Sequence, residues 1–369
     1  MLPYLTEKAF GNPSSSHAFG RTARAGLEQA RREVAVAVEA EPNQVIFTSG
    51  GTEADNLGIL GAALAARQRG AEMCAVVSAI EHKAVLAAAH AVCRLGGREV
   101  IIPVNGQGVL DPDALDAALA QHPSVVSVMW VNNEIGVIQP MAEIASRCWA
   151  AGVTLHSDAV QAFGKVAVSF RQVPCTMLTL SGHKIGAPKG VGALVVRDSK
   201  AVEAIIHGGG QQHGIRPGTE NVAGAVALGR AATLAAAGQE AEARRLRGLR
   251  NRLAERLRAS VSDLVVSGET SECAPHVLNV AVAGADSEAL LMHLDMAGIA
   301  ASGGSACSTG AVEPSHVLLA IGMPRELALG AVRFSLGHES TEADVDRAAE
   351  VMPGVVTKVR KLAGILGRA

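Results

Sequence analysis

Chemistry in this chain is most readily built around Ser181-Gly182-His183-Lys184. The lysine follows the apolar run Met177-Leu178-Thr179-Leu180, and Gly186, Pro188 and Gly190 then keep the backbone out of a helix. An amine on a rigid turn at the mouth of a strand suits a Schiff base to a carbonyl compound, provided it is desolvated or lies beside another cation. One lysine in a Gly/Pro loop is usually just a solvated surface residue. Its company makes the difference. Asp158 and Gln161 follow a second apolar run, His82 stands in Glu81-His82-Lys83, and Asn133 stands in Asn132-Asn133-Glu134. Ser49-Gly50-Gly51-Thr52-Glu53 leads from a short apolar run into a helical pattern. Free N–H groups and the helix dipole make such a junction an anion site, whereas Ser or Thr before the helix with Glu inside it makes an ordinary capping box. The sequence alone leaves these two readings even.

These groups act together only if one scaffold brings them to one edge. Apolar runs at 45–48, 75–78, 99–102, 125–130, 153–156, 177–180 and 191–196 read as strands. A helical pattern at 18–39 precedes them, and others fall between them: one opening at 49–53 and reaching 69, and others starting near 84, 111 and 141. Strand and helix alternate, and the strands are apolar on both faces. This predicts an α/β fold with a mainly parallel, doubly wound sheet. Ligands bind such sheets beyond the carboxyl ends of the strands, where Gly51-Thr52, His82, Asn133, Asp158, Gln161 and Lys184 all fall. A long alanine-rich helix over 222–260 leads to strands at 265–266, 278–282 and 332–336 and helices at 286–297 and 341–362. The expected division is a large domain, 1–238, and a smaller α+β domain, 239–369.

Composition narrows the function classes. A net charge of −2 gives no electrostatic reason to expect nucleic acid or anionic lipid. The densest basic run, Arg244 to Arg258, shares its segment with acids and reads as a solvated helix face. No apolar stretch has the roughly 18–20 residues of a membrane span, and no secretion signal is visible at the start. The six cysteines are dispersed without CxxC spacing, which argues against a zinc site or a disulfide framework and for a reducing, cytoplasmic compartment. Five of them sit among apolar neighbours and read as inert; Cys307, in Ser305-Ala306-Cys307-Ser308, does not.

A Schiff-base lysine, a strand-end aspartate and an anion site together fit pyridoxal 5′-phosphate. That cofactor needs an amine for its aldehyde carbon, a carboxylate for its ring nitrogen and donors for its phosphate. On nine motifs taken in order the chain then resembles the cysteine desulfurases of the pyridoxal-phosphate class V aminotransferase family. They are Gly-Asn-Pro-Ser-Ser (11–15), Phe-Thr-Ser-Gly-Gly-Thr-Glu-Ala-Asp-Asn (47–56), Glu-His-Lys-Ala-Val-Leu (81–86) and Asn-Asn-Glu-Ile-Gly (132–136). Ser-Asp-Ala-Val-Gln (157–161), Ser-Gly-His-Lys (181–184), Arg-Pro-Gly-Thr-Glu-Asn (216–221), Ser-Ala-Cys-Ser (305–308) and Arg-Phe-Ser-Leu-Gly (333–337) complete them.

The resemblance implies a fold-type I, aminotransferase-like large domain. It implies that Lys184 holds the cofactor and moves the substrate α-proton, that Asp158 pairs with the pyridine nitrogen and Gln161 with the phenolic oxygen. Gly51, Thr52, Ser181 and His183 are expected on the phosphate, with Thr219 reaching it from the second subunit of a homodimer. His82 is expected to stack on the ring and assist proton transfer. Asn133 and Arg333 are expected to fix the substrate carboxylate. Cys307 is expected to attack the sulfur of L-cysteine, leaving alanine and an enzyme persulfide for an iron–sulfur scaffold or another sulfur acceptor, and to serve transiently as a cluster ligand shared with that scaffold. A related lyase acting on selenocysteine or cystine, or a truncated non-catalytic paralogue that keeps the fold and its partners, are the alternatives. The family's usual pattern begins earlier, with an Asn-Ala-Thr-Thr-Pro type segment. Within the chain, Gln212-His213 stands where many relatives have Glu-Arg, Pro217 and Gly303 where serine is common.

Overall fold

The structure, a computed structural model, describes residues 1–6, 8–269, 271–303 and 313–366. Two compact units emerge: Met1–Ile102 with Asp111–Trp130 and Gln139–Gln239, and Pro103–Leu110 with Val131–Ile138 and Glu240–Ala369.

The first unit carries α1 (Leu2–Leu5), α2 (Ala18–Ala37), β1 (Val45–Thr48), α3 (Gly51–Gln68), β2 (Cys74–Ser78), α4 (Lys83–Arg94) and β3 (Arg98–Ile102). It continues through α5 (Pro112–Leu119), β4 (Val125–Ser127), α6 (Met141–Ala150), β5 (Leu155–Asp158), β6 (Met177–Ser181) and β7 (Gly192–Val196) to the start of α7 (Val222–Ser260). The seven strands form one sheet in the order β1-β7-β6-β5-β4-β2-β3. Neighbours from β6 to β3 are parallel, whereas β7 is antiparallel to both β1 and β6. The exception has a local cause. Residues 182–191 return the chain without a crossover helix, through Gly186 and Gly190 at φ 87°, and so short a link allows only an antiparallel partner. Since β1 and β6 both oppose β7, their carboxyl ends still share the edge used by β5, β4 and β2.

The apolar runs bury as expected except at 99–102, where β3 lies at the edge of the sheet and leaves Ile101 exposed. Strands β1, β2, β4, β5, β6 and β7 have no exposed residue. Ile46, Leu57, Val77, Val85, Met177 and Leu194 are among the residues of one core that joins the sheet to α3 and α4. The ladder of β4 stops at Ser127 although the apolar run reaches Trp130. Val128 and Trp130 still donate to His156 and Asp158 carbonyls, at 3.1 and 2.9 Å, so the chain stays extended to Trp130. Strand β5 starts two residues later than the pattern suggests, because the Val153 amide closes the end of α6 by donating to Cys148.

The second unit holds the C-terminal part of α7, β8 (Leu264–Val266), β9 (Val277–Val282), α8 (Ser287–Met296), α9 (His316–Ala320), α10 (Arg325–Ala328), β10 (Ala331–Ser335) and α11 (Glu342–Leu366). Its antiparallel sheet runs β10-β9-β8. Leu246, Leu253, Leu257, Val280, Leu294 and Met352 belong to its core. The segment 131–138 joins this unit through the Val137–Cys273 bridge and the Ile138 amide on Glu272. The basic run of α7 is solvated and paired with acids: Arg252 and Arg256 both engage Asp346 of α11, and Arg258 engages Glu269. Cys148 and Cys175 are buried, and burial pushes their thiols to about 12, so they are inert. Cys93 and Cys273 are only half-buried. No helix among the described residues is long and apolar enough to cross a membrane.

Candidate active site

The site is built at the carboxyl ends of the first unit's strands. After β1 the backbone turns at Gly50, φ 157°, into α3, and no side chain caps that helix. Its first-turn N–H groups therefore resemble the anion site more than the capping box; Glu53 accepts a 2.8 Å bond from the Ser49 amide, one residue before the cap at Gly50. Glu53 also pairs with Arg216 at 2.6 Å, tying the first turn of α3 to the segment that carries Thr219. Half-burial raises the pKa of Glu53, but the bonds from Arg216 and Ser49 outweigh it and hold the acid below its ordinary value. Gly51 is where backbone approach is tightest. A Cβ there would lie 3.0 Å from Val160 and 3.5 Å from the Ser181 Cβ, so the ends of β5 and β6 converge on this turn.

Asp158 ends β5 and is 5% exposed. Its Oδ1 accepts the Val160 amide at 2.8 Å. Burial raises its pKa, and that hydrogen bond with the charges of His82 and Lys184 pulls it part of the way back. Gln161 is half-buried in the turn that follows. Lys184 is the last residue of a single 3-10 turn, Gly182–Lys184, directly after β6. The turn is fixed by amide bonds from Gly182 to Val191 and from Ile185 to Gly182, each 3.0 Å. Ser181 is buried, His183 and Lys184 are exposed. Burial first, then the charges of Lys184 and Lys189, lower the pKa of His183.

His82 precedes α4 and accepts the Ala84 amide on Nδ1 at 3.1 Å, which leaves Nε2 to face elsewhere. Polar atoms of His82, Asp158 and Asp55 all lie within 4.8 Å of one another. Thr219 is exposed in a loop pinned by Arg216 and by a 3.0 Å bond from the Gly218 amide to Gln211.

Asn133 and Arg333 lie in the second unit. Arg333 donates through Nη1 to the Asn133 carbonyl at 3.0 Å. Its Nε is buried with no partner among the described residues, a donor held ready for an anion. Burial lowers its pKa and the Glu134 charge raises it in part. Cys307 lies outside the described residues, between Ser302, paired to Arg333 through both backbone groups, and Ser315, whose hydroxyl binds Glu134.

The structure adds residues that the motifs did not single out as chemical. Asp55, Ser127, His156 and Thr179 are buried behind Asp158, and Glu81 is buried beside His82. The one clue in the sequence is an aspartate on the apolar face of α3, among Ala54, Leu57 and Gly58.

The residues present suit pyridoxal phosphate. A buried strand-end carboxylate, a lysine and a histidine within its field, and an uncapped helix start next to Ser181 match a ring nitrogen, an aldehyde and a phosphate in turn. Comparison with known proteins agrees. The aminotransferase class-V family matches residues 1–348. The chain is 45% identical to a cysteine desulfurase of Gluconacetobacter diazotrophicus, covering 98% of this chain and 90% of that protein. It is 40% identical to cysteine desulfurase IscS of Dictyoglomus turgidum, covering 98% and 91%. A solved NifS-like protein superposes with a TM-score of 0.88 at 30% identity, over 97% of this chain and 94% of that one. DndA from Streptomyces lividans superposes with a TM-score of 0.78 at 39% identity, over 90% and 94%. The chain therefore belongs to the aminotransferase class-V family, among its pyridoxal-phosphate-dependent cysteine desulfurases.

Proposed function

We propose that this chain takes sulfur from L-cysteine onto Cys307 and releases L-alanine, with Lys184 as its cofactor-binding and proton-moving residue. The observation that carries the reading is the convergence of the Gly51 turn, Ser181, Asp158, His82 and Lys184 on one sheet edge. Bound there, pyridoxal phosphate supplies the electron sink for charge that develops at the substrate α-carbon.

The chain's own groups do the rest. The amides of the Gly51 turn, Thr52, Ser181 and His183 bind the phosphate, and Thr219 of a second copy completes that shell in a homodimer. Asp158 keeps the ring nitrogen protonated, and Gln161 donates to the phenolic oxygen. His82 would contact the bound cofactor and assist proton transfer. Arg333 and Asn133 orient the substrate carboxylate, the arginine through its fork of donors. Lys184 takes the proton from the α-carbon. The Cys307 thiolate attacks the substrate sulfur: an S–S bond forms, the C–S bond breaks, and its electron pair is captured by a proton at the β-carbon, after which Lys184 gives a proton back to the α-carbon to complete L-alanine. The persulfide then passes to an acceptor protein such as an iron–sulfur scaffold, with Cys307 as a transient ligand of the cluster delivered there. Dispersed thiols fit a cytoplasmic setting.

The test is turnover of L-cysteine with a reductant present. Cys307→Ala should keep the visible absorbance of the lysine-bound cofactor and lose sulfide release by about a hundredfold or more, as expected when a nucleophile is removed. Full turnover in that variant rules the reading out.

A further inference from the structure

The sequence between Ser302 and Ser315 carries Cys307, and both of its flanks are tied to the groups placed on the substrate carboxylate. On the near flank, the Ser302 amide donates to the Arg333 carbonyl at 3.0 Å and the Arg333 amide donates to the Ser302 carbonyl at 2.7 Å. Arg333 Nη1 donates in turn to the Asn133 carbonyl at 3.0 Å. The next residue, Glu134, accepts the hydroxyl proton of Ser315 on the far flank. Ser302, Arg333, Asn133, Glu134 and Ser315 are therefore joined in series, and all five belong to the second unit.

The turn that carries Asn133 and Glu134 is closed on itself. Buried Asn132 accepts the Glu134 and Ile135 amides on Oδ1, at 2.8 and 2.9 Å, and its carbonyl accepts the Gly136 amide at 3.0 Å. Ser315 is as firmly held. A hydroxyl donates one hydrogen bond and accepts two, and this one does all three. Its oxygen accepts the Val317 and Leu318 amides, at 3.1 and 3.5 Å, as the cap of α9, and its proton goes to Glu134. Capping uses only the acceptor side of a serine. The bond to Glu134 is additional, and it reaches 181 residues along the chain to a partner beside the carbonyl that holds Arg333. Glu134 is 4% exposed and Ser315 is 3% exposed, so bulk water does not compete for the bond between them.

We propose that Glu134 and Ser315 are positioning residues for the sulfur-transfer step. Their bond sets where the sequence that carries Cys307 rejoins the fold, relative to the Asn133 and Arg333 groups that hold the substrate. Neither residue touches the reacting atoms. Nucleophile and substrate are thereby referred to one frame, and an error of about 1 Å between reacting groups costs up to about a hundredfold in rate. The proposal rests on the reading above, in which Cys307 attacks the substrate sulfur.

The experiment compares two substrates on the holoenzyme. L-Cysteine needs Cys307 to take its sulfur. L-β-Chloroalanine does not: Lys184 takes the α-proton, chloride leaves with the C–Cl electron pair, and hydrolysis by water gives pyruvate and ammonia. Both substrates present the same carboxylate to Arg333 and Asn133. Glu134→Leu deletes the acceptor and leaves the cap of α9 in place, whereas Ser315→Ala deletes donor and cap together. Each should slow alanine formation from cysteine by about ten- to a hundredfold. Each should leave pyruvate formation from chloroalanine, and its half-saturating concentration, within about twofold of wild type. The double variant should be no slower than the slower single one, because the same bond is lost only once. Glu134→Gln keeps an acceptor and Ser315→Thr keeps a donor, and both should stay within about threefold of wild type on either substrate.

Equal loss on both substrates would make the pair merely structural and overturn the proposal, as would unchanged cysteine turnover in Glu134→Leu or losses that multiply in the double variant. Cys307→Ala is the reference. It should lose cysteine turnover and keep chloroalanine turnover. Full cysteine turnover in Cys307→Ala removes the reading and the proposal with it, whereas its loss there, with Glu134→Leu unchanged, removes the proposal alone.

Discussion

Glu81, in the turn after β2, and Asp346, on α11, carry the same functional group and are pushed in opposite directions. Glu81 is 0% exposed; burial raises it to about 8, against hydrogen bonds from Ser78 and Met129 that favour the anion, with the Asp158 charge raising it further. Asp346 is solvated and holds two arginines of α7; the bond from Arg252 leads in lowering it to about 2. The first unit thus places acids where water is excluded and the neutral form is favoured. The α7–α11 face of the second unit places Asp346, Glu342 and Glu350 where pairing is cheap and weak. A perturbed acid in a dry cluster marks a place where protonation is being controlled, whereas a paired acid on a helix face marks solubility and helix registration. Asp55, Glu81 and Asp158 belong to the first kind.

The comparison breaks most visibly at Glu81. An acid whose folded pKa lies above its unfolded one stabilises the fold fully below the unfolded value, and that contribution is lost as pH rises through the folded value. For Glu81 the window runs from its ordinary 4.5 up to about 8. Glu81→Gln keeps an acceptor for Ser78 and Met129 and does not titrate. Its stability should match wild type near the lower end and exceed it increasingly toward the upper end, by a few kcal/mol at most. Denaturant midpoints at several pH values measure this. A constant difference across the window would mean that Glu81 is ionised inside the fold.

Two glycines set the packing of the same regions side by side. Gly58 on α3 lies against His156: a Cβ would sit 2.7 Å from Cδ2 and 3.1 Å from Nε2. Gly248 on α7 is exposed, and a Cβ there meets nothing within 4 Å. Helix propensity favours alanine over glycine by roughly 1 kcal/mol at both positions. At Gly58 the overlap with a fully packed ring should cost about 1–3 kcal/mol and reverse the sign. Gly58→Ala should therefore lower the unfolding midpoint and Gly248→Ala should raise it. Equal gains in both would show that the pocket around His156 is loose, contrary to its burial.

How much of this was readable in advance depends on how local the cause is. The apolar runs and their Gly/Pro punctuation marked each sheet strand to within a few residues, because burial on both faces of a parallel strand leaves no polar alternation to confuse the pattern. Placement of Asp158 and Lys184 at strand ends followed from that. The antiparallel return of β7 was not drawn from the sequence, although Gly186, Pro188 and Gly190 already spoke against a crossover helix between β6 and β7. The attachment of 131–138 to the second unit depends on Cys273, far away in sequence. The hydrogen bonds from Ser127 to His156 and from His156 to Thr179 join three strands, and their members look like ordinary strand residues until the register of β4, β5 and β6 brings them into line.

The smallest expected effect lies on the other side of the comparison, at Asp346. Its folded pKa lies below the ordinary 3.8, so its contribution is present above that value and is lost as pH falls toward about 2. Asp346→Asn should destabilise slightly at neutral pH, and the difference from wild type should shrink below pH 3.8 and vanish near 2. Because the group is solvated, added salt should erase the difference as well, with the screening length falling to roughly 3 Å at 1 M. Arg252 and Arg256 keep Glu342 and Glu350 within 3.8 and 3.6 Å, so neither is left without an acid when Asp346 is neutralised. A difference that survives high salt would place Asp346 in a dry environment, and the contrast with Glu81 would then be one of partner rather than of solvent.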